Sequence, residues 1–296
     1  MNTKIIVCCH KKTDLPSDKN FLPVQAGRKI SDVDLGIAGD DEGENISELN
    51  PYFCELTAQY WAWKNLKNID VVGLCHYRRF FKLSGGLGRT YRQKSIIHND
   101  IDTSLIPRIM KDYDIILPKP VITTKSLYDL FSWFMTEVQM QIYLRTFFKM
   151  HPEYEKITVD YLNGNKCIGC NMSIMPWTRF CQYNEFLFSI LFKAKEYIKS
   201  LPYSYYNRSF GMFSEILLPM FCKMNGLKVK YLPVIVLCDQ SVSVNPYKAM
   251  FPKFLTTFVN DGIRNLKYLV SNRRTNDTYI TSFWEQYLIK DGIVIR

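Results

Sequence analysis

The sequence predicts an α/β fold in which a mixed sheet is flanked by helices. Short β-branched, apolar runs alternate with longer amphipathic stretches, a pattern typical of layered α/β domains. Hydrophobic residues make up 47% and aromatic residues 15% of the 296-residue chain, enough for a large core, and no internal repeat interrupts the pattern. Residues 247–296 are basic and aromatic, so we expect one domain over residues 1–246 and a helical C-terminal extension over 247–296.

The elements of the first half follow from hydrophobic periodicity. Residues 4–10, KIIVCCH, predict a buried opening strand because β-branched residues dominate the run. The spacing from Pro51 onward predicts a helix with Asn50 as its N-cap. Its core-facing stripe consists of Phe53, Leu56, Tyr60 and Trp63. Residues 69–77 predict a second central strand, and residues 113–120 predict a third that prolines end.

Helices and strands alternate again in the second half. Residues 126–163 have the aromatic and polar spacing of helices, and residues 167–175 predict a strand. Residues 184–201 form a strongly amphipathic pattern that predicts a helix. Residues 208–226 run from a loop that includes Gly211 into a capped helix that ends at Gly226, and residues 227–239 predict a final strand.

The charge balance favours acidic partners. Lysine and arginine number 38 against 28 aspartate and glutamate residues, a formal net charge of +10. A nucleotide, a phosphorylated substrate, nucleic acid or an anionic membrane surface would suit this charge, and a basic surface kept for solubility is the alternative. A nucleic-acid-binding module is disfavoured because the basic residues are dispersed and no RNP, KH or zinc-finger motif occurs.

The cysteines and the N-terminus predict a cytoplasmic protein. The nine cysteines are odd in number and lie mostly in apolar patterns, where a thiol behaves as a small hydrophobe. The N-terminus lacks the layout of a secretory signal, and no apolar run reaches the roughly 20 residues of a membrane span. One CxxC pair, Cys167 and Cys170, occurs without a second pair or nearby histidines, so zinc or redox chemistry is disfavoured.

A cluster of cations follows two of the predicted strands. The segments CCHKK, residues 8–12, and VVGLCHYRRFFK, residues 71–82, both end an apolar run in polar side chains. These side chains are His10, Lys11, Lys12, His76, Tyr77, Arg78 and Arg79. Open α/β sheets bind ligands beyond the carboxyl ends of strands, and arginine forks match phosphate oxygens, so a phosphate pocket is expected. Alternatively the two arginines take opposite sides, one pairing with an acidic helix and the other reaching water.

Two carboxylates stand out among apolar residues. Glu215 follows Gly211 at the predicted start of a helix, where backbone N–H groups and the dipole would keep it ionised, as a base requires. An acidic first turn kept for stability alone is the alternative. Glu55 would either pair with an arginine or contact a ligand hydroxyl. The acidic run from Asp40 to Glu44 lacks EF-hand spacing and predicts a solvated turn, and no metal site, Gly-rich phosphate loop or GxSxG motif is found.

The chain resembles a known family in several blocks. The strings GENISELNPYFCELTAQYWAWKN, GLCHYRRFF, YDIILPKP, NMSIM, GMFSEILLPMF and KVKYLPV stand in the order of domain-of-unknown-function family 4422, over residues 4–238. That family occurs in bacterial capsule, exopolysaccharide and O-antigen gene clusters and is regarded as glycosyltransferases, some similar to galactofuranosyltransferases that use UDP-galactofuranose. This chain lacks the histidine that commonly follows the family's YDxY helix and has NMSIM where NMFIM is usual.

The resemblance implies a GT-A-like, Rossmann-type fold and an inverting transfer from a UDP-sugar. Most such enzymes hold a divalent metal on Asp-x-Asp at the strand end where this chain has residues 75–79. Cationic side chains would therefore neutralise the leaving UDP partly or wholly in place of manganese or magnesium. Glu215 would be the general base. Donor contacts are implied for His10, Lys11, Asp40, Asn45, Glu55, His76, Tyr77, Arg78 and Arg79. Acceptor contacts are implied for Asn171, Arg208 and Ser214.

The implied acceptor is a saccharide or an undecaprenyl-linked sugar at the cytoplasmic face of the inner membrane. The C-terminal extension would either dock on anionic lipid or pack on the domain as a helical cap. Its basic residues include Lys248, Lys253, Arg264, Lys267, Arg273 and Arg274. The alternative function is a non-catalytic nucleic-acid- or polyanion-binding protein. A phosphate-ester hydrolase is disfavoured because its nucleophile or metal cluster is missing.

Overall fold

The computed structural model describes residues 1–86, 90–93, 101–135, 137–198 and 208–238. A mostly parallel sheet flanked by helices confirms the predicted α/β class. Its strands are β1 (Thr3–Cys9), β2 (Phe21–Gln25), β3 (Ala38–Gly39), β4 (Val71–His76), β5 (Arg79–Phe81), β6 (Thr90–Gln93), β7 (Ile115–Pro118), β10 (Ser173–Pro176), β11 (Val229–Leu232) and β12 (Val234–Cys238). A separate antiparallel pair consists of β8 (Val121–Ile122) and β9 (Lys166–Cys167).

Helices pack on the sheet and connect its strands. They are α1 (Asn50–Phe53), α2 (Leu56–Asn65), α3 (Ile106–Ile109), α4 (Leu127–Phe134), α5 (Glu137–Met150), α6 (Glu155–Asn163), α7 (Trp177–Ile198) and α8 (Ser209–Met224). None of the helices in the described ranges is long and apolar enough to cross a membrane. The predicted boundary at residues 246 and 247, and the whole predicted extension, lie outside the described residues.

The strand order brings several carboxyl ends to one edge. The main path runs β11-β7-β10-β4-β1-β2-β3, and β1 is parallel to both β2 and β4. β10 is antiparallel to β4 and to β7, while β11 is parallel to β7. The strands β1, β4, β7 and β11 therefore run in the same direction. Polar residues that follow these strands meet at the same edge of the sheet.

Alternation along the strands divides the core into two layers. In β1, Ile6 packs in the larger hydrophobic cluster, which α2, α5, α7 and α8 cover, whereas Ile5 and Val7 pack in a second cluster on the opposite face. The centre of β4 is tightly enclosed because a Cβ at Gly73 would lie 2.9 Å from Cγ1 of Ile174 on β10. Glycine therefore permits the close approach of these two central strands.

The single helix predicted from Pro51 onward is two helices in the structure, and its predicted N-cap is wrong. Cys54 adopts a φ of 52° and divides it into α1 and α2. Asn50 lies inside α1 and is not its cap: its side-chain amide donates to the carbonyl of Cys54 at 2.8 Å and to the hydroxyl of Thr57 at 3.0 Å. The asparagine therefore stabilises the break by satisfying a carbonyl that a continuous helix would have used.

Other boundaries also differ from the predictions. The single strand expected over residues 167–175 is two strands, because Cys170 and Asn171 take φ values of 76° and 49° between β9 and β10. Pro233 separates β11 from β12 within the predicted final strand. α7 begins at Trp177, earlier than predicted. The short strands β2, β3, β5 and β6 were not predicted.

Candidate active site

A tight hairpin at the carboxyl end of β4 carries three of the six predicted cations. His76 pairs with Arg79 across β4 and β5, and Tyr77 and Arg78 form the turn between them. With His10, which follows β1, these four residues line a cleft of about 680 Å³. His10, His76, Arg78 and Arg79 are therefore brought together at the edge of the sheet, on one concave surface, whereas Lys11 and Lys12 do not line the cleft.

Ring contacts order the cationic end of the cleft. The Tyr77 hydroxyl lies 3.3 Å from Nε2 of His10, and the two rings meet edge to face with centroids 4.7 Å apart. The Arg78 guanidinium carbon lies 5.2 Å from the Tyr77 ring centroid, and Nζ of Lys11 lies 5.8 Å from it. Burial and then Lys11 lower the pKa of His10, with smaller contributions from Arg208, Arg78 and His76. The positive field favours a neutral imidazole and an anionic ligand.

His76 connects the hairpin to the loop that precedes β10. Its Nε2 donates a hydrogen bond to the carbonyl oxygen of Cys170 at 2.5 Å. Because a carbonyl oxygen only accepts, Nε2 carries a proton. The Cys170 peptide holds a second group of the cleft through its N–H, which donates to Oε1 of Glu215 at 2.8 Å.

Two carboxylates, Glu55 and Glu215, line the same cleft as the cations. Glu55 stands at the junction of α1 and α2, next to the break at Cys54, and its Oε1 accepts the side-chain amide of Asn171 at 2.8 Å. The sequence predicted that Glu55 either pairs with an arginine or contacts a ligand hydroxyl. In the structure its side chain accepts the amide of Asn171 and also lines the cleft.

The expectation that Glu215 is fully ionised is wrong. Burial first, and then the charge of Glu55, raise the pKa of Glu215 to about 7. The Cys170 N–H, Arg79 and Arg208 oppose this effect without cancelling it. Because α8 begins at Ser209, Glu215 lies in the second turn, beyond the free N–H groups of the helix start. The carboxylate is therefore protonated more readily than an ordinary glutamate.

Asn171 and Ser214 lie beneath the cleft and do not line it. Asn171 donates its amide to both Oε1 of Glu55 and the carbonyl of Gly211, and its own carbonyl oxygen accepts the Ser214 hydroxyl at 2.8 Å. Both side chains are buried, at 3% and 0% exposure. Both residues were expected to contact an acceptor directly. Their placement does not provide such a contact, because each of these polar groups already bonds another group of the protein.

Asp40 and Asn45 also stand away from the lining of the cleft. The buried Asp40 carboxylate accepts the N–H groups of Gly27 and Arg28 and the Ser47 hydroxyl. The Asn45 amide donates to the carbonyls of Asp41 and Gly43 at 2.9 Å, so this acidic segment is a hydrogen-bonded turn. Both residues stabilise a loop. Neither lines the cleft, so this placement does not support the donor contacts that the resemblance implied for them.

Arg208 reaches the cleft from the start of α8. Its N–H donates to the carbonyl of Pro51 at 3.2 Å, and its Nε donates to Sγ of Cys54 at 3.4 Å. Gly211, one turn later, packs against the same residue, since a Cβ there would lie 3.3 Å from Cβ of Cys54. Cys54 and Cys170 were missed as cleft residues. Cysteine is not a residue type that favours positive φ, so no sequence signal marked either position.

Asp-x-Asp occurs in the chain but does not line the cleft. Residues 32–34 form one such string, and Asp34 accepts hydrogen bonds from Arg28 at 3.0 Å and from the N–H of Gly36 at 2.8 Å. In the described part of the chain, no three His, Cys, Asp or Glu side chains are grouped as a metal would need.

Comparisons with known proteins agree with the resemblance seen in the sequence. The profile of the family described as "Domain of unknown function (DUF4422)" matches residues 4–226. A solved structure, the WbbM bifunctional glycosyltransferase in its apo form, superposes with a TM-score of 0.71 at 27% identity over 83% of this chain. The match covers 48% of that structure, so this chain spans about half its length. No curated protein matches. The chain belongs to the DUF4422 family.

Proposed function

We propose that the chain is an inverting glycosyltransferase that moves a sugar from a UDP-sugar to a saccharide acceptor during synthesis of a bacterial surface polysaccharide. The observation that carries this proposal is the cleft itself, which combines an arginine- and histidine-rich end with a carboxylate whose pKa is about 7. Similarity to a bifunctional glycosyltransferase supports the same class of reaction.

The cationic end suits the diphosphate of the donor. As the bond between the anomeric carbon and the diphosphate breaks, negative charge grows on the leaving oxygen. Guanidinium groups already positioned by the hairpin of Arg78 and Arg79 stabilise that charge without reorganising. Tyr77 and His10 complete this wall and supply a hydroxyl and an imidazole edge. The same groups would replace part or all of the work of a divalent metal.

Glu215 suits the role of general base. The acceptor hydroxyl gives its proton to the Glu215 carboxylate while its oxygen forms a bond to the anomeric carbon. The bond from that carbon to the diphosphate breaks on the opposite side, and UDP leaves with the electron pair. A pKa of about 7 matches a base that works near neutral pH, and the Cys170 N–H fixes the orientation of the carboxylate through Oε1.

A donor screen tests the proposal. UDP release is measured with a panel of UDP-sugars, including UDP-galactofuranose, with EDTA and with added manganese or magnesium. We expect release from at least one UDP-sugar, retained in EDTA and abolished by Arg79→Ala. No UDP binding, together with salt-sensitive binding of oligonucleotides, would instead favour the polyanion-binding alternative that the net charge of +10 suggests. An absolute metal requirement would contradict the role given to the cations.

Three further proposals rest on the resemblance. They are that the transferred sugar is galactofuranose, that the acceptor is undecaprenyl-linked and that the protein is cytoplasmic. Docking of the C-terminal extension on the inner membrane is part of the same proposal. The donor screen separates the furanose from the pyranose form of galactose. Co-sedimentation with anionic vesicles, with and without residues 247–296, measures the membrane contact.

A further inference from the structure

A turn of two residues lies between the cationic hairpin and the proposed base. Cys170 and Asn171 both have left-handed backbone conformations, with φ values of 76° and 49°. Asparagine is among the residue types that tolerate this conformation, whereas cysteine is not. A left-handed cysteine persists only where the surrounding structure holds it in place. The turn must therefore be fixed by contacts on both of its sides.

His76 holds the turn from the side of the sheet. Its backbone is fixed at the end of β4, where it pairs with Cys8 of β1 and with Arg79 of β5. Its Nε2 donates a hydrogen bond of 2.5 Å to the carbonyl oxygen of Cys170. Because a strand paired on both sides moves little, the imidazole is a firm anchor for that carbonyl.

The proposed base is held from the other side of the same residue. The N–H of Cys170 donates to Oε1 of Glu215 at 2.8 Å, and no other hydrogen-bond donor to this carboxylate is found among the described residues. The N–H and the carbonyl of one residue belong to successive planar peptide groups that are joined at its Cα. A change of φ at Cys170 therefore turns one group against the other, and the bond to His76 and the bond to Glu215 cannot both survive it.

Asn171 fixes the second half of the turn to the helices. Its side-chain amide donates to Oε1 of Glu55 and to the carbonyl of Gly211, and its oxygen accepts the Ser214 hydroxyl. These contacts hold the residue after Cys170, whereas His76 holds Cys170 itself. The turn thus links the edge of the sheet that carries the cations to the helix that carries the base.

We infer that His76 is a positioning residue, whose hydrogen bond to the Cys170 carbonyl keeps the Cys170 N–H directed at the Glu215 carboxylate. The inference rests on the proposed function, which makes Glu215 the base. It differs from the donor contact that the resemblance implied for His76, because it predicts an effect on the base and none on UDP affinity. Without the bond from His76, Cys170 relaxes toward negative φ. Glu215 then loses the N–H that opposes the effects of burial and Glu55 on its pKa.

Other groups that act on Glu215 stay in place when His76 is replaced. The charged groups that face it are Glu55, Arg79 and Arg208. The titratable groups whose pKa it raises are Cys54, Tyr161 and Tyr183, in each case after burial. The charge that His76 itself can carry is removed equally by glutamine and by phenylalanine. A difference between these two variants therefore reports on the hydrogen bond to Cys170.

Two substitutions at His76 separate the hydrogen bond from the ring. His76→Gln keeps a side-chain N–H at about the reach of Nε2, whereas His76→Phe keeps a ring and has no donor. We expect His76→Phe to lower kcat about tenfold or more, because the base is misplaced. It should raise the midpoint of the pH–rate profile by about one pH unit, and calorimetry should find UDP affinity unchanged. His76→Gln should keep most of kcat and the original midpoint.

The control for the substitution itself is His151→Phe, because His151 does not line the cleft. It should change neither kcat nor UDP affinity. Thermal unfolding verifies that each variant is folded. His76→Asn, whose shorter amide does not reach the carbonyl, replaces His76→Phe if that variant does not fold.

A second measurement does not need turnover. Each His76 variant is compared with the same variant carrying Glu215→Gln, and urea denaturation between pH 5 and pH 8 gives the part of stability that depends on Glu215. This dependence should extend to higher pH with His76→Phe than with His76→Gln. The inference is overturned if the two variants behave alike in kcat and in this pH dependence. It is also overturned if both weaken UDP binding and leave the midpoint unchanged, since His76 would then be a donor contact. The expected pH dependence in a protein that releases UDP from no UDP-sugar would support the positioning by His76 and refute the proposed function.

Discussion

Replacing Glu215 with glutamine is expected to stabilise the protein at alkaline pH while abolishing transfer. Burial and Glu55 raise the pKa of Glu215 from its ordinary value of 4.5 to about 7. Between these values the unfolded chain has lost a proton that the folded chain still holds. The stability that depends on this group is therefore greatest at acidic pH and falls as pH rises from 4.5 to about 7. Glutamine does not ionise, and its oxygen still accepts the Cys170 N–H.

The magnitude follows from the size of the pKa change. At about 1.4 kcal/mol for each pKa unit, ionised Glu215 destabilises the fold by about 3 kcal/mol above neutral pH. The free energy of unfolding of Glu215→Gln, minus that of the parent protein, should therefore rise by about 2 to 3 kcal/mol between pH 5 and pH 8. Urea denaturation at four pH values across this range measures the difference, and UDP release measures the loss of turnover, expected at about 10² to 10⁴-fold.

The control is Glu185→Gln, because Glu185 is exposed on α7. It measures the effect of the same chemical change on an exposed side chain. A difference for Glu215→Gln that stays constant between pH 5 and pH 8 would refute the argument that burial and Glu55 hold a proton on Glu215. Turnover that survives the substitution would refute its role as the base, whatever the stability curve shows.

Three further predictions concern Glu55 and two buried side chains, Asn171 and Asp40. Glu55→Gln removes the second cause of the raised pKa of Glu215. The midpoint of the pH–rate profile for transfer should therefore move to lower pH. An unchanged midpoint would count against an electrostatic effect of Glu55 on Glu215. Asn171→Ala leaves the Ser214 hydroxyl without its buried acceptor and Glu55 without its amide donor, and urea denaturation should show a loss of about 3 kcal/mol. Asp40→Asn should lower the free energy of unfolding by about 3 kcal/mol, because buried donors to the carboxylate lose an acceptor. Calorimetry should find the UDP affinity of the folded variant unchanged, and weaker UDP binding would indicate that Asp40 contacts the donor.

The cationic end of β4 could be predicted from the sequence because its signal is local, although the strand β5 that completes the hairpin was not predicted. The run Val71–Cys75 is apolar throughout and all five residues are buried in the centre of the sheet. Polar residues directly after such a strand must emerge at its carboxyl end, and parallel pairing with β1 brings His10 to the same edge. Hydrophobic pattern and the parallel direction of neighbouring strands together determine this part of the site.

The position and ionisation of Glu215 could not be predicted because both depend on distant residues. Gly211 looked like the end of a loop, yet it lies within α8 and permits close packing against Cys54. The helix therefore starts earlier, and Glu215 moves away from its free N–H groups. Its raised pKa comes partly from Glu55, which is far away in the sequence and is positioned by a break at Cys54 that no residue preference indicates.

The balance of charges around Glu215 predicts that donor binding changes its pKa within the proposed function. Burial and Glu55 weaken its acidity, whereas Arg79 and Arg208 strengthen it, and the first pair prevails. A diphosphate at the cationic end would offset the positive charge of these arginines and add negative charge of its own. The pKa of Glu215 would then rise further, making it a stronger base at the moment the leaving group is in place. The same rise would leave more of the enzyme protonated at neutral pH, so the midpoint of the pH–rate profile with saturating donor should lie at higher pH than that of the free enzyme.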